Sequence, residues 1–389
     1  MLRMFLFLIA VLTVLVLGYF YLSRRLIAPL ALGGRATFWL NAALLFLFVL
    51  QMTGPILGRV WNQAEEPLWL LMTGWLSFLV MGFIAIVFFL LIFRDSVLLV
   101  AWLFKVGDPA ELARYGSMAV AVLGVVLCAA GVAGALAEPR IEHVTVEVKG
   151  LPGALDGFRI VQVSDLHLGP TIKAAFSSAL VERINALSPD VVAITGDVAD
   201  GYPHLMHDSL APLSGLKARH GVFVVTGNHE YYWGGVGNWV AEFTRLGMTV
   251  LINENRLINV DGAKVAVAGV TDTEGGHFDP GHVPDAAKAI AGAEGADFRV
   301  LLSHQPRAAG PAAKAGFNLL LCGHTHGGQF IPWNLLVRLQ QPFVSGLNRL
   351  GGLVVYVSRG AGYWGPPLRL GVPSEITVVV LKAERAGSS

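Results

Sequence analysis

The stretch RIVQVSDLHLG, residues 159–169, decides the fold of the second part of this chain. It begins as a short apolar run typical of a buried β-strand, and it ends in Asp165 and His167, polar residues that the middle of such a strand would not carry. Further runs of this kind follow at 191–195, 222–226, 264–270, 299–303, 317–321, 353–358 and 375–381. Helical periodicity separates several of them, at 174–187, 205–218, 237–245 and 285–291. Strands that alternate with helices predict layered α/β structure.

Polar side chains cluster at the ends of five of these strands. The elements are Ser-Asp165-Leu-His167, Gly-Asp197-Val-Ala-Asp200, Gly-Asn228-His229-Glu230, Ser-His304-Gln-Pro and Gly-His324-Thr-His326. Because α/β sheets place their sites at the carboxyl ends of strands, we expect these side chains to lie together.

The residue types at this edge indicate a metal site. Carboxylate, imidazole and amide ligands suit divalent Mn, Fe or Zn, and the lack of thiolates argues against a structural zinc site. Two ligand sets that share one carboxylate can hold two ions about 3.5–4 Å apart, which polarise a phosphoryl group, generate a hydroxide nucleophile and stabilise the leaving oxygen. Two carboxylates among neutral ligands leave such a pair net positive, which favours a phosphate ester as substrate.

Each element alone has an ordinary structural explanation, such as a turn or a helix cap. The five in this order resemble the motif series of the calcineurin-like metallophosphoesterase superfamily, from about residue 140 onward. Within it, SDLHLG, GNHEYY, CGHTHGGQ and Ser358-Arg359-Gly360 are similar to YkuE/YaeI-type membrane-associated phosphodiesterases, and pyrophosphohydrolases of the lipid A pathway are similar as well.

The resemblance implies a four-layer αββα sandwich and a role for each matching residue. One ion is expected on Asp165, His167 and His326, a second on Asn228, His304 and His324, with Asp197 bridging both. His229 is expected to stabilise the transition state and to protonate the leaving oxygen. Asp200 and Glu230 are expected to orient a histidine or a metal ligand.

One departure bears on the substrate. The protein Ser/Thr phosphatases of the superfamily carry two phosphate-binding Arg residues where this chain has Gly201 and Thr226. A monoester dianion would lose its bidentate partners, so a phosphodiester or pyrophosphate is favoured. A phosphomonoesterase and a non-catalytic membrane sensor or scaffold are the alternatives. Arg359 is a candidate phosphate contact, although a surface or packing role fits equally.

Residues 1–137 form a different region. Of the whole chain 54% is hydrophobic and only 14% charged, and the apolar excess lies in this block. Four apolar stretches approach the ~20 residues needed to cross a bilayer, at 4–22, 36–53, 68–93 and 116–137, which predicts a helical membrane anchor. The first could instead be a signal peptide, but three similar runs follow it. The stretch 96–104 is too short to span, so an interfacial or packing role is expected.

Basic residues predict the orientation of the anchor. Arg24, Arg25 and Arg35 follow the first stretch, and Arg94, Lys105 and Arg114 follow the third. The loop between them has only Arg59, beside Glu65 and Glu66, and the N-terminus only Arg3. Loops rich in Lys and Arg face the cytoplasm, so four crossings place the catalytic region outside the inner or plasma membrane. Residues 138–150 are expected to be a linker or first strand, and 151–389 the phosphoesterase domain.

Two points about partners complete the predictions. A formal net charge of +1 gives no sign of a nucleic-acid-binding surface. The apolar stretch 330–350, with Trp333, Phe343, Arg338 and Arg349, is either a loop packed on the core or a membrane-facing lid that admits a lipid phosphate. The substrate is therefore expected to be a phosphoester that is free or lipid-linked.

Overall fold

The computed structural model describes residues 2–60 and 67–384, with the side chains of 2–4, 7 and 57–60 left aside. The chain divides into two compact units. The first comprises Met1–Leu136 with Gly365–Leu368, and the second comprises Ala137–Trp364 with Arg369–Ser389.

The first unit consists of four long apolar helices. They are α1 (Leu2–Leu22), α2 (Gly34–Val60), α3 (Leu68–Leu103) and α4 (Pro109–Leu136). Four segments are long and apolar enough to cross a membrane, which confirms the predicted number of spans: Leu8–Leu30, Gly34–Ile56, Leu68–Leu103 and Pro109–Leu136. Most of their large apolar side chains are exposed, as expected for helices that lipid surrounds.

Two details of the third predicted span are corrected. Residues 96–104 do not form a separate segment, because α3 continues without a break to Leu103. Arg94, expected in a loop, is buried inside α3, where its guanidinium pairs with Asp95 (Nη2–Oδ1 2.5 Å) and donates to Ser117 Oγ (2.7 Å). These contacts compensate the buried charge of Arg94, and α3 continues through this residue. Arg3, Arg59, Glu65 and Glu66, on which the predicted orientation also depends, lie outside the described residues and side chains.

The second unit contains twelve strands among the described residues. In chain order they are β1 (Arg140–Val148), β2 (Arg159–Val163), β3 (Val191–Thr195), β4 (Val222–Val225), β5 (Thr249–Val250), β6 (Glu254–Val260), β7 (Ala263–Gly269), β8 (Phe298–Leu302), β9 (Leu319–Cys322), β10 (Gly346–Leu350), β11 (Leu353–Val357) and β12 (Glu375–Ala383). They form two six-stranded sheets, in the orders β1-β12-β2-β3-β4-β5 and β10-β11-β9-β8-β7-β6.

The core lies between the two sheets. Ile160, Val191 and Phe223 of the first sheet share one buried cluster with Val265 and Val300 of the second. The other face of the second sheet packs on alanine-rich helices α10 and α11 (Ala286–Ile290 and Ala309–Lys314). This two-sheet α/β fold confirms the predicted class.

The remaining helices are short and connect the strands. They are α5 (Ala174–Ala186), α6 (His207–Leu210), α7 (His229–Tyr232), α8 (Val236–Arg245), α9 (Gly275–Phe278) and α12 (Trp333–Val337). The prediction of one helix over 205–218 is wrong, because only α6 and a 3₁₀ segment, Ala211–Gly215, form there. Pro212 lacks the N–H that a longer α-helix would need.

Candidate metal centre

The predicted site residues follow strands of both sheets and meet at one edge. Asp165 and His167 follow β2, Asp197 and Asp200 follow β3, Asn228 and His229 follow β4, His304 follows β8, and His324 and His326 follow β9. Strands β2, β3 and β4 run parallel, as do β8 and β9, so each set delivers its side chains at a common end. Three groups of side chains able to hold a metal result, and within each group the ligand atoms lie within 4.8 Å of one another.

The first group contains Asp165, His167 and His326. His167 Nε2 lies 3.1 Å from His326 Nε2, and His326 Nε2 lies 3.4 Å from Asp165 Oδ1. His167 Nδ1 donates to Asp200 Oδ1 at 2.8 Å, so Nε2 is the ring nitrogen that faces the other two ligand atoms.

The second group contains His304 and His324 with Asp197, and Asn228 lies against it. His304 Nδ1 donates to the carbonyl of Thr195 at 2.8 Å, so Nε2 is the ring nitrogen that faces the other ligand atoms. This Nε2 lies 3.1 Å from Asp197 Oδ2, 3.1 Å from His324 Nδ1 and 3.2 Å from Asn228 Oδ1.

Asp197 connects the groups. Its Oδ2 lies 3.1 Å from His304 Nε2 and 3.8 Å from His167 Nε2. Imidazole nitrogens and carboxylate oxygens thus converge on both halves of the site. This is a donor set for divalent metal ions, which displace a ring proton when they bind, so these residues fit such ions.

The third group contains His167, Asp197 and His229, and Asp200 lies beside it. Asp200 Oδ1 is 2.5 Å from His229 Nδ1 as well as 2.8 Å from His167 Nδ1. One carboxylate oxygen therefore orients both rings. His229 Nε2 lies 3.9 Å from Asp197 Oδ2, and the exposed rings of Tyr232 and Trp364 lie near, with centroids 5.5 and 6.2 Å from the imidazole.

Glu230 shapes the backbone of the site. Its fully buried carboxylate accepts the N–H groups of Asp197 (3.1 Å), Val198 (2.8 Å) and Gly227 (2.7 Å). The side chain therefore ties the loop after β4 to the loop after β3, which positions Asp197.

The backbone at the site is strained. Five of the seven predicted ligands have φ between 48° and 69°, namely Asp165, His167, Asp197, His324 and His326. For residues other than glycine this left-handed region costs of order 1–3 kcal/mol each where the surroundings impose it. The rest of the fold therefore stabilises these turns.

Two glycines allow the loops to approach each other. A Cβ at Gly227 would lie 2.2 Å from Asp197 Oδ1, and one at Gly323 would lie 2.2 Å from Asp165 Oδ2. No side chain fits at either place, so these glycines are required for the positions of the two aspartates.

Burial and charge set the ionisation of the site. Burial opposes the charged form of Asp197, but His304, His229 and His167 hold its pKa well below the usual value. Burial likewise acts against the charged form of His304, yet Asp197 raises its pKa well above 6.5. Burial, with repulsion from His304, lowers the pKa of His324 to about 3, so this imidazole is neutral and able to bind metal.

His229 has the opposite character. Burial would lower its pKa, but the neighbouring carboxylates of Asp197 and Asp200 raise it to about 10. The pKa of Asp200 is held well below its ordinary value, because His167 and His229 outweigh the effect of burial. His229 is thus a protonated imidazole near neutral pH, as a proton donor requires.

Arg359 is paired within the protein. Its Nε is bonded to Glu375, and its Nη2 lies 3.1 Å from Glu142. The predicted phosphate contact therefore has two carboxylate partners, and the geometry favours the packing alternative.

Two residues near the site escaped the sequence analysis. Arg369, 3% exposed, donates to the carbonyls of Arg359 (2.7 Å) and Gly362, and its Nη2 lies 3.1 Å from His326 Nδ1. It stands in no motif, so the sequence carries no signal for it. Asp272 follows β7 closely, as the other site residues follow their strands, and it accepts a bond from Gln305 Nε2 at 3.1 Å. The strand-end rule could have found Asp272.

Comparison with known proteins agrees with this geometry. The calcineurin-like phosphoesterase family model matches residues 158–328. The chain is 34% identical over 394 residues to the "transmembrane protein with metallophosphoesterase domain" of Danio rerio, covering 97% of this chain and 89% of that protein. Its namesake in Bos taurus is 40% identical over 284 residues, covering 70% and 64%. The uncharacterized metallophosphoesterase YkuE of Bacillus subtilis is 32% identical over 251 residues, covering 62% and 85%.

The chain therefore belongs to the calcineurin-like metallophosphoesterases. It is a membrane protein and a metal-dependent phosphoesterase, as predicted.

Proposed function

We propose that this enzyme is a dinuclear hydrolase of phosphodiesters or pyrophosphates, with its catalytic unit on the outer side of the membrane. The observation that carries the proposal is the position of Asp197, whose Oδ2 lies 3.1 Å from His304 Nε2 and 3.8 Å from His167 Nε2, one side chain from each proposed ion site. Asp165, His167 and His326 would hold one ion, and Asn228, His304 and His324 the other. When bound, such ions activate water and stabilise negative charge on the phosphoryl group.

His229 supplies the proton in this proposal. Its Nδ1 forms an ion pair with Asp200 Oδ1 at 2.5 Å, so Nε2 is the nitrogen that would face the substrate. With a pKa raised by Asp197 and Asp200, it can protonate a leaving oxygen near neutral pH. Asp200 would keep both the donor ring and the metal-binding ring of His167 in place.

Two arginines near the site, Arg359 and Arg369, support a substrate with a single negative charge on the scissile phosphorus. Arg359 is bonded to Glu375 and Glu142, and Arg369 is buried with its donors directed at backbone carbonyls. Neither offers a free fork of the kind that binds a monoester dianion. The positions of the phosphatase arginines are occupied by Gly201 and Thr226, both buried.

The test compares hydrolysis of bis-p-nitrophenyl phosphate with that of p-nitrophenyl phosphate. Full-length protein in detergent is assayed with Mn added or chelated, beside Asp197→Asn. Metal-dependent turnover that favours the diester and is lost in Asp197→Asn supports the proposal. Turnover that favours the monoester contradicts the substrate class, and turnover that survives chelation contradicts the metal centre.

A further inference from the structure

Exposed apolar side chains concentrate in one segment of the second unit. Its described residues expose thirteen large apolar side chains, and seven of these fall within residues 331–350. The seven are Ile331 (54% exposed), Trp333 (45%), Leu335 (60%), Leu336 (41%), Leu339 (82%), Leu347 (48%) and Leu350 (39%). Scattered apolar residues on a surface are ordinary, but a concentration of this kind marks an interaction site.

The charges of the segment have a single sign. Residues 330–350 contain Arg338 and Arg349 and no Asp or Glu. Arg338 is exposed, and its guanidinium has no hydrogen bond or ion pair with any described residue. Leucine and tryptophan beside arginine is the composition of segments that lie in a membrane interface, where the apolar side chains enter lipid and the cations meet phosphate groups.

A polar cavity of about 500 Å³ lies within the same segment. Within the segment it is lined by Arg338, Ser345, Asn334 of α12 and Asn348 of β10. Outside the segment it is lined by Arg359 and by Gly327, the neighbour of the predicted metal ligand His326. Ile331, one of the seven exposed apolar side chains, also lines the cavity. Donors and acceptors beside exposed apolar side chains suit a phosphate head group whose acyl chains remain in the bilayer.

We propose that residues 331–350 are a membrane-binding surface of the catalytic unit, with Leu339 and its apolar neighbours in the lipid and Arg338 on a phospholipid phosphate. A bilayer is the partner because the same chain carries four helices able to span one, so lipid is the apolar phase always present. The proposal does not require that the substrate be a lipid, and it stands apart from the proposed reaction.

The experiment measures the depth of a spin label on the full-length protein in lipid nanodiscs. The label is placed by Leu339→Cys. The matched control is Leu257→Cys, an exposed leucine (50%) on β6, which is the edge strand of its sheet farthest from β10. Both native cysteines, Cys128 and Cys322, are buried, and the unsubstituted protein treated in parallel gives their background labelling. Oxygen concentrates in lipid and a nickel chelate stays in water, so relaxation by each reports the surroundings of the label.

The expected result is that oxygen relaxes the label at 339 more than the nickel chelate does, with the reverse order at 257. The same order at both positions would overturn the proposal. Shielding of the label at 339 from both reagents would also overturn it and would indicate a protein partner or a second copy.

A second arm tests the head-group contact. Adding phosphatidylglycerol to phosphatidylcholine nanodiscs should reduce access of the nickel chelate to the label at 339, and Arg338→Gln should remove this change. If the change is as large in Arg338→Gln, the assignment of Arg338 to lipid phosphate is wrong.

Discussion

Asp200→Asn tests the shared carboxylate most directly. One oxygen of Asp200 lies 2.8 Å from His167 Nδ1 and 2.5 Å from His229 Nδ1. The amide is neutral, and its oxygen makes weaker bonds to both rings than the carboxylate does. Loss of a hydrogen bond to a charged group costs about 1.5–3 kcal/mol, which corresponds to a fall of about 1–2 units in the pKa of His229.

The pH dependence follows from the direction of this shift. The pKa of His229 is raised, so the ring is protonated at low pH and loses its proton as the pH rises through that pKa. Activity that depends on this proton therefore declines on the alkaline side. In Asp200→Asn the decline should begin about 1–2 pH units lower. Bound dications offset the negative charge of Asp197 and so lower the pKa of His229, which moves the pH profiles of the unsubstituted protein and of Asp200→Asn to lower pH alike.

The assay is hydrolysis of bis-p-nitrophenyl phosphate across the pH range, with bound metal measured on the same samples. Metal affinity should fall by about 10–100-fold, because His167 loses the partner that fixes its tautomer. The matched control is Asp208→Asn, an identical change on an exposed residue of α6. An unshifted alkaline limb would refute the role of His229, and unchanged metal affinity would refute the role of Asp200 on His167.

Three further predictions concern the same centre. His229→Ala should retain bound metal, and its rate of hydrolysis should fall by a factor of about 10²–10⁴. Loss of metal from this variant, measured by elemental analysis, would contradict the assignment of His229 as a proton donor. Gly227→Ala should lose metal and activity, since its Cβ would lie 2.2 Å from Asp197 Oδ1, whereas Gly237→Ala, with nothing within 4 Å, should keep both. Chelation should lower the thermal unfolding midpoint of the intact protein, because ions that bind only the folded state stabilise it. As the control, chelation should leave the midpoint of Asp197→Asn unchanged.

Much of the fold was predictable because its strands are buried on both faces. The bounds predicted for β2 and β3 match the structure, since each is an apolar run that ends at a polar motif. Strand β10 was not predicted, because an edge strand with exposed residues lacks that pattern. The sequence of strand β1, RIEHVTVEV, fits a polar linker as well as a strand. What makes it a strand is its parallel pairing with β12, a contact between distant parts of the chain that local sequence does not reveal.

The arrangement of the site could be predicted only in part. The strand-end rule brings Asp197 and His304 to one edge, but it says nothing of which atoms face each other. That Asp200 serves two rings, and that Arg369 lies against His326, depends on loop conformations with positive φ. Such conformations are imposed by surrounding hydrogen bonds and glycines rather than by local preference.

The pairing of β1 with β12 also determines when the catalytic unit can be completed during synthesis. Arg140 pairs with Glu375, so β1 leaves the ribosome long before its neighbour exists. Until β12 is made, β2 also lacks the partner on that side, while β3 and β4 can already pair with each other. The nascent chain therefore carries two strands with unpaired backbone groups from the synthesis of β2 until that of β12, and during this interval those groups are exposed to wrong pairing.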